Sequence, residues 1–360
     1  MTPRLRPDLH TIPTYVPRLA LPDSIDPIEL AGNETTFGPL PSALEAVSAA
    51  AAGSNRYQDN RSGELVGALA DVLAVPRDRV IAGCGSVSLC HNLALITCGA
   101  PTDEVLMAWR SFETYPIAAR IAGARVVQVP LADDVHDLDA MAAAVTANTR
   151  LVFVCNPNNP TATAVGRAEL ERFVDAVPPH VLVCIDEAYL EFLRMPDRPD
   201  GVEIGRNRPN VVALRTFSKA YGLASLRVGY AVGDPAVIAA LHRVHVAFSV
   251  GRVAQAAALA SLAAPGELRR RTDAVAAERE RVRDALCALG YPVPPSQANF
   301  LWLGLADEAT SFTVAAAEAG IRVADYGEGV RVTIGTPAEN DAFLTFAAAW
   351  ARTAQQCRSA

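Results

Sequence analysis

The apolar positions of this 360-residue chain follow two different rhythms. In the first, short β-branched runs at 80–82, 104–107, 125–129, 151–154, 181–185 and 211–214 alternate with longer Ala- and Leu-rich stretches at 88–98, 115–122, 138–145 and 168–177. Runs that are apolar throughout suit strands buried on both faces, so this alternation predicts a mostly parallel sheet with helices on both sides. A second rhythm, helical from about residue 235 to 289, breaks the alternation, and its Arg- and Glu-rich part (267–288) reads as an ordinary solvated helix face. Short strands return at 299–303, 321–323 and 330–334. Residues 41–52 predict a further helix, and the Pro-rich first thirty residues predict an extended arm. The expected organisation is therefore an arm (1–30), a large α/β domain (31–248) and a smaller α+β domain (249–360) that the arm completes. No internal repeat or low-complexity linker separates them.

Composition narrows the function. With 51% apolar and 20% charged residues the chain can bury a sizeable core, which excludes disorder. A formal charge of −7 disfavours a nucleic-acid partner. Seven cysteines without a C-x-x-C pair suggest neither a metal site nor a disulfide framework. The first ten residues lack the apolar core of a signal peptide, and no apolar run reaches the roughly 20 residues needed to span a bilayer. These features predict a soluble, cytoplasmic enzyme without a membrane partner.

Candidate chemistry gathers just beyond the predicted strands. Gly83-Cys84-Gly85-Ser86-Val87-Ser88 follows one strand and opens a helix. It lacks the third glycine of a dinucleotide fingerprint, but Ser86 and the first helical N–H groups can receive a phosphate. Three more strands end in polar residues: 151–155 in Asn156-Pro-Asn-Asn-Pro-Thr161, 181–185 in Asp186-Glu-Ala-Tyr189, and 211–214 in Arg215-Thr-Phe-Ser-Lys219. Ligands of open α/β sheets bind at such carboxyl ends. Asp186 is costly to bury without a cationic partner. Lys219 is a lysine in an Arg-dominated chain, and Thr216, Ser218 and Arg227 flank it. Hydroxyls and a guanidinium around an amine describe a site for a phosphorylated carbonyl compound.

Those residues resemble a known family. Ser218-Lys219-Ala-Tyr-Gly-Leu-Ala-Ser-Leu-Arg227-Val-Gly229 looks like the lysine signature of class-II, fold type I pyridoxal-phosphate aminotransferases. Asn156-Pro-Asn-Asn-Pro-Thr161 resembles the family's asparagine loop and Asp186-Glu-Ala-Tyr189 its pyridine-nitrogen motif, with 30 residues from Asn156 to Asp186 and 33 from Asp186 to Lys219. The resemblance implies a mixed, mostly parallel sheet flanked by helices and a smaller C-terminal α+β domain. It also implies roles. Lys219 would carry pyridoxal 5'-phosphate covalently and then act as general acid and base. Asp186 would keep the pyridine nitrogen protonated, Tyr189 and Asn156 would bond the ring's 3'-oxygen, and Phe112 would stack on the ring. Gly85, Ser86, Val87, Thr216, Ser218 and Arg227 would hold the phosphate. Tyr57 would reach the site from a partner subunit, implying a homodimer. Arg331 would clamp the substrate carboxylate, with Asn33 nearby. Tyr15, Phe112 and Phe248 are candidates to line an aromatic substrate pocket. Two positions depart from the family pattern, Ala162 and Ser225 standing where glycines are usual, and only local adjustment is expected.

Substrate class follows from finer resemblance. Gly32-Asn-Glu-Thr-Thr-Phe-Gly-Pro-Leu40 and Gly85-Ser-Val-Ser-Leu89 look like the bacterial aromatic (phenylalanine) aminotransferases. Histidinol-phosphate aminotransferases, the alternative, typically show Asn-Glu-Asn-Pro and an acidic pair there, and an arginine where Ala324 stands. Arg322 could replace that cation only if its strand shifted register. The expected activity is amino transfer from an aromatic amino acid to 2-oxoglutarate. A decarboxylase on the same scaffold and a DNA-binding regulator are the rivals from other classes.

Overall fold

The computed structural model describes residues 3–6, 8–14 and 27–359. Seven strands form the main sheet: β2 (Val80–Gly83), β3 (Glu104–Trp109), β4 (Arg125–Pro130), β5 (Thr149–Cys155), β6 (Leu182–Asp186), β7 (Val211–Thr216) and β8 (Gly229–Val232), after a short β1 (Ile28–Glu29). Their spatial order is β2-β8-β7-β6-β5-β3-β4; β8 runs antiparallel to both its neighbours, and every other pairing is parallel. Burial on both faces is direct. Along β3, Val105 and Met107 pack into one apolar cluster and Leu106 and Ala108 into the other; along β5, Leu151 and Phe153 face one side and Val152 and Val154 the opposite one.

The predicted strands are all present, with ends shifted by a residue or two. β8 is the main sheet's addition: four residues that begin on Gly229, the last position of the lysine motif. The region expected to be continuously helical is three helices, Pro235–Val244, Arg252–Leu262 and Pro265–Ala288, two of which begin on a proline. Ala254, Ala257 and Ala258 of the middle helix pack with Leu40, Leu65 and Tyr230 beside the main sheet, whereas Val275, Val282 and Leu286 of the last pack in a separate core. The middle and last helices thus pack into different cores.

That second core surrounds β9 (Phe300–Leu303), β10 (Ile321–Arg322), β11 (Ala324–Asp325) and β12 (Val330–Thr333), of which β11, β12 and β9 form an antiparallel sheet. The N-terminal segment completes it: β1 pairs in parallel with β10, and Leu30 is buried in the same cluster. Earlier in the segment, the Arg6 guanidinium donates to the carbonyls of Ile121 (2.9 Å) and Arg120 (3.1 Å) on the large domain. No described helix is long and apolar enough to cross a membrane.

Candidate active site

Because β2, β3, β5, β6 and β7 share one direction, their carboxyl ends share one edge of the sheet, and there a cavity of about 290 Å³ opens between the two cores. At one end, Gly85 turns the chain (φ +72°) into the helix Gly85–Thr97, whose first residues Ser86 and Val87 line the cavity. A Cβ at Gly85 would collide with the Arg227 guanidinium, so glycine lets that cation lie against the helix N-terminus. Beside it the Ser218 hydroxyl accepts from Thr216 Oγ1 (3.0 Å) and from Arg227 Nη1 (3.3 Å). A helix N-terminus, two hydroxyls and a guanidinium make an anion cup of phosphate character. Ser225 is exposed and Ala224 lines the cavity instead, so the departure from glycine at 225 touches nothing here.

Asp186 ends β6, 1% exposed, on the cavity floor. Its carboxylate accepts from the Tyr115 hydroxyl (2.8 Å) and the Ala188 N–H (3.2 Å), and burial pushes it up to about 6. The neighbouring acid is treated differently: Glu187 accepts from Arg215 Nε (2.8 Å) and the Gly201 N–H (2.6 Å). Of two adjacent buried carboxylates, one has its cation and the cavity-facing one has none among its hydrogen-bond partners. Such a group calls for a cationic donor from a ligand.

Lys219, which is the sole lysine among the chain's 32 Lys and Arg residues, lines the cavity and donates from Nζ to the Gly32 carbonyl (3.0 Å). Tyr189 is nearly buried; burial pushes its phenol up, so it stays a donor, and its oxygen accepts from Asn33 Nδ2 (2.9 Å). Asn33 lines the wall in a left-handed turn (φ 51°) and is tied to Thr333 through its N–H (2.9 Å). Phe112 lines the cavity edge-on to Tyr115, ring centroids 5.6 Å apart. Cys155 also reaches the cavity, but burial pushes its thiol up to about 12, which removes it as a nucleophile.

Arg331 closes the far end. Its Nη1 donates to Asn159 Oδ1 (2.5 Å) and Tyr326 Oη (2.8 Å), and its Nη2 to the Ala31 carbonyl (2.6 Å). This corrects the expectation for Asn156. Both ends of the Asn156 amide are used on one backbone residue, Nδ2 donating to the Val165 carbonyl (3.1 Å) and Oδ1 accepting the Val165 N–H (3.0 Å). Asn156 therefore pins the loop, and the asparagine on the cavity wall is Asn159. Tyr57 is also absent from its own chain's cavity: it is 81% exposed, its ring against Phe248 at 4.7 Å. Tyr15 lies outside the described residues.

Tyr326 on the cavity wall and Tyr115, through its bond to Asp186, also join the site, and no sequence signal marked either. Glu34 and Glu113 line its mouth as well. Arg322, the only candidate replacement for a cation at Ala324, is bonded to Glu29 (2.6 Å) and is not on the cavity wall.

An anion cup, an uncompensated buried carboxylate and an amine on three walls of one cavity fit the phosphate, the ring nitrogen and the aldehyde of pyridoxal phosphate. Comparison with known proteins agrees in kind. The family of class I and II aminotransferases matches residues 25–346, and the chain belongs to it. It is 62% identical to a protein of Nocardia farcinica (strain IFM 10152) named aromatic amino acid aminotransferase, over 97% of this chain and 98% of that one. A Rhodococcus jostii (strain RHA1) protein of the same name is 61% identical over 96% of each chain. Among solved structures, a histidinol-phosphate aminotransferase of Sinorhizobium meliloti in complex with pyridoxal-5'-phosphate superposes with a TM-score of 0.84 at 30% identity, covering 91% of both chains.

Proposed function

We propose that this chain is a pyridoxal 5'-phosphate-dependent aromatic amino acid aminotransferase that passes the amino group of phenylalanine, tyrosine or tryptophan to 2-oxoglutarate and works as a cytoplasmic homodimer. The carrying observation is Asp186, a buried carboxylate lifted to about 6 on the floor of a cavity that also holds the chain's one lysine. The close relatives named above support the aromatic substrate.

Bound there, pyridoxal phosphate supplies an electron sink for the pair left at the substrate Cα. Lys219 Nζ would anchor it and, once the substrate amine displaces that bond, carry the Cα proton. Asp186 would hold a proton at the ring nitrogen, with Tyr115 fixing the carboxylate's direction. Tyr189 Oη would donate to the ring oxygen, Phe112 would cover the ring, and the Ser86, Thr216, Ser218 and Arg227 cup would take the phosphate. Arg331 and Asn159 would receive the substrate carboxylate, a guanidinium being suited to bidentate pairing.

Charge at the mouth supports an aromatic side chain over a phosphorylated one. The described cations on the wall are Lys219, Arg227 and Arg331, each with a task above. A second phosphate would find no further cation among the described lining residues, only the carboxylates of Glu34 and Glu113. Tyr57, exposed with its ring tilted against an exposed Phe248, suits a role on a partner subunit.

Single-turnover mixing of holoenzyme with phenylalanine and with histidinol phosphate tests this reading, with Lys219→Ala as the blank. Faster loss of the cofactor's near-visible band with phenylalanine supports it; faster loss with histidinol phosphate keeps the cofactor chemistry and overturns the substrate. Borohydride reduction should add the cofactor's mass to the one peptide containing Lys219.

A further inference from the structure

Arg331 is held at a junction of three chain segments. Asn159 comes from the loop after β5 in the large domain, Ala31 from the segment after β1, and Tyr326 from the turn between β11 and β12 in the small domain. A guanidinium has five N–H donors, and these three acceptors occupy three of them. Nε is buried without a partner, so the group is anchored and still has donor capacity. Tyr326 lines the cavity, and its ring is itself braced. Trp302 meets it edge-on at 5.8 Å, and the Arg110 guanidinium lies 5.7 Å from its centroid. Arg110, just past β3 in the large domain, also donates to the Tyr326 carbonyl (3.1 Å) and to Glu328 (2.6 Å) in the same turn.

These contacts form one chain: Arg110 and Glu328 bridge the two domains, the bridge fixes the Tyr326 turn, and the Tyr326 hydroxyl fixes Arg331. Asn159 alone could swing the guanidinium toward the large domain; an acceptor from each domain on the same Nη1 holds it between them. We propose that Tyr326 is a positioning residue for recognition of the substrate carboxylate, and that the Arg110–Glu328 bridge couples this recognition to the apposition of the two domains. The inference deepens the aminotransferase reading above and rests on it.

Tyr326→Phe keeps the ring against Trp302 and Arg110 and removes only the hydroxyl. The experiment compares two probes on holoenzyme: 3-phenylpropionate, a carboxylate that cannot react, by calorimetry, and 2-phenylethylamine, an amine without a carboxylate, by single turnover. Tyr326→Phe should weaken 3-phenylpropionate about tenfold, the scale of one hydrogen bond to a charged group, and raise the phenylalanine KM similarly, with kcat falling less than about threefold. The 2-phenylethylamine rate should move less than about twofold. Arg110→Ala should shift 3-phenylpropionate in the same direction by about threefold, and less so at high salt, because the bridge is partly exposed. An unchanged 3-phenylpropionate affinity in Tyr326→Phe, or equal damage to both probes, overturns the positioning role, and an unchanged affinity in Arg110→Ala overturns the coupling. Wild-type enzyme that uses no aromatic amino acid overturns the substrate reading instead; the same variants then decide Tyr326 with 2-oxoglutarate, whose carboxylate meets the same guanidinium.

Discussion

Tyr115 donates its hydroxyl proton to Asp186 across 2.8 Å, from a ring stacked on Phe153 at 4.3 Å and buried completely. A phenol held this firmly does more than fill space. It fixes the direction of the carboxylate and stabilises its charged form against the burial that pushes it up.

Removing that donor should therefore raise Asp186 further. Tyr115→Phe keeps the stack, so the fold should survive, but the acid limb of the rate profile should move to higher pH. Cofactor affinity should fall about tenfold, the scale of a hydrogen bond to a charged group. Equilibrium titration with pyridoxal phosphate at several pH values reads both effects. An unmoved limb would mean that the bond is only structural.

The same carboxylate makes the cofactor-free protein sensitive to pH. Its folded value is about 6 against an ordinary 3.8, with Glu187 adding to the burial effect. The native state thus holds its proton more tightly than the unfolded chain. Stability from this group is complete below about pH 3.8 and is lost as pH rises through about 6, a difference of about 3 kcal/mol. Asp186→Asn should abolish that loss and raise the melting temperature of the cofactor-free protein at pH 8. It should also cost at least about a hundredfold in single-turnover rate, as loss of a preorganised electrostatic partner does. Melting curves of both proteins without cofactor, from pH 5 to 8, provide the check.

The two asparagines of one loop separate stability from catalysis. Asn159→Ala removes an acceptor of Arg331 and should lower kcat/KM for phenylalanine by about tenfold to a hundredfold, with a small change in melting temperature. Asn156→Ala leaves the buried Val165 N–H and carbonyl unpaired, at about 1–3 kcal/mol each, and should act mainly on stability. Kinetics and denaturant unfolding of the two variants, run in parallel, would show opposite profiles. Matching profiles would refute the assignment.

This pair also shows where a sequence stops informing. Apolar runs reveal β5, β6 and β7 because both faces of those inner strands are buried, whereas the edge strand β4 keeps Arg125 and Gln128 exposed and shows only through its β-branched residues. Lys219, Asp186, Tyr189 and the phosphate cup sit at or just beyond strand ends, where polar residues after an apolar run stand out. Within Asn156-Pro-Asn-Asn-Pro160, by contrast, two Asn-Pro steps present the same chemistry, and only the path of the loop decides which amide faces inward. Tyr115 reads as one more apolar residue opening a helix, since nothing beside it announces a carboxylate 71 residues away. Tyr326 lies in a turn whose partner, Arg110, belongs to the other domain. Contacts of that range are products of the fold and leave no local mark.

Ala162 carries the last prediction. It occupies a left-handed conformation (φ 63°) where the family usually has glycine, and it is completely buried among the residues of the smaller core. Its N–H donates to the Asn158 carbonyl (2.9 Å) and its own carbonyl accepts from Gln297 (2.7 Å), so the backbone cannot relax to a right-handed turn without losing both. Left-handed backbone costs an alanine about 1–2 kcal/mol, whereas glycine adopts it freely. Against this, Ala162→Gly removes a buried methyl and gives the unfolded chain more freedom, each about 1 kcal/mol. The terms nearly cancel, so Ala162→Gly should change stability by less than about 1 kcal/mol in denaturant unfolding. Ala162→Val, which adds a β-branch in the same left-handed turn, should destabilise by more than about 2 kcal/mol. A tolerated valine would show that the loop can leave this conformation. Asn159, three residues upstream, would then be free to move with it, and the carboxylate clamp would lose its fixed acceptor.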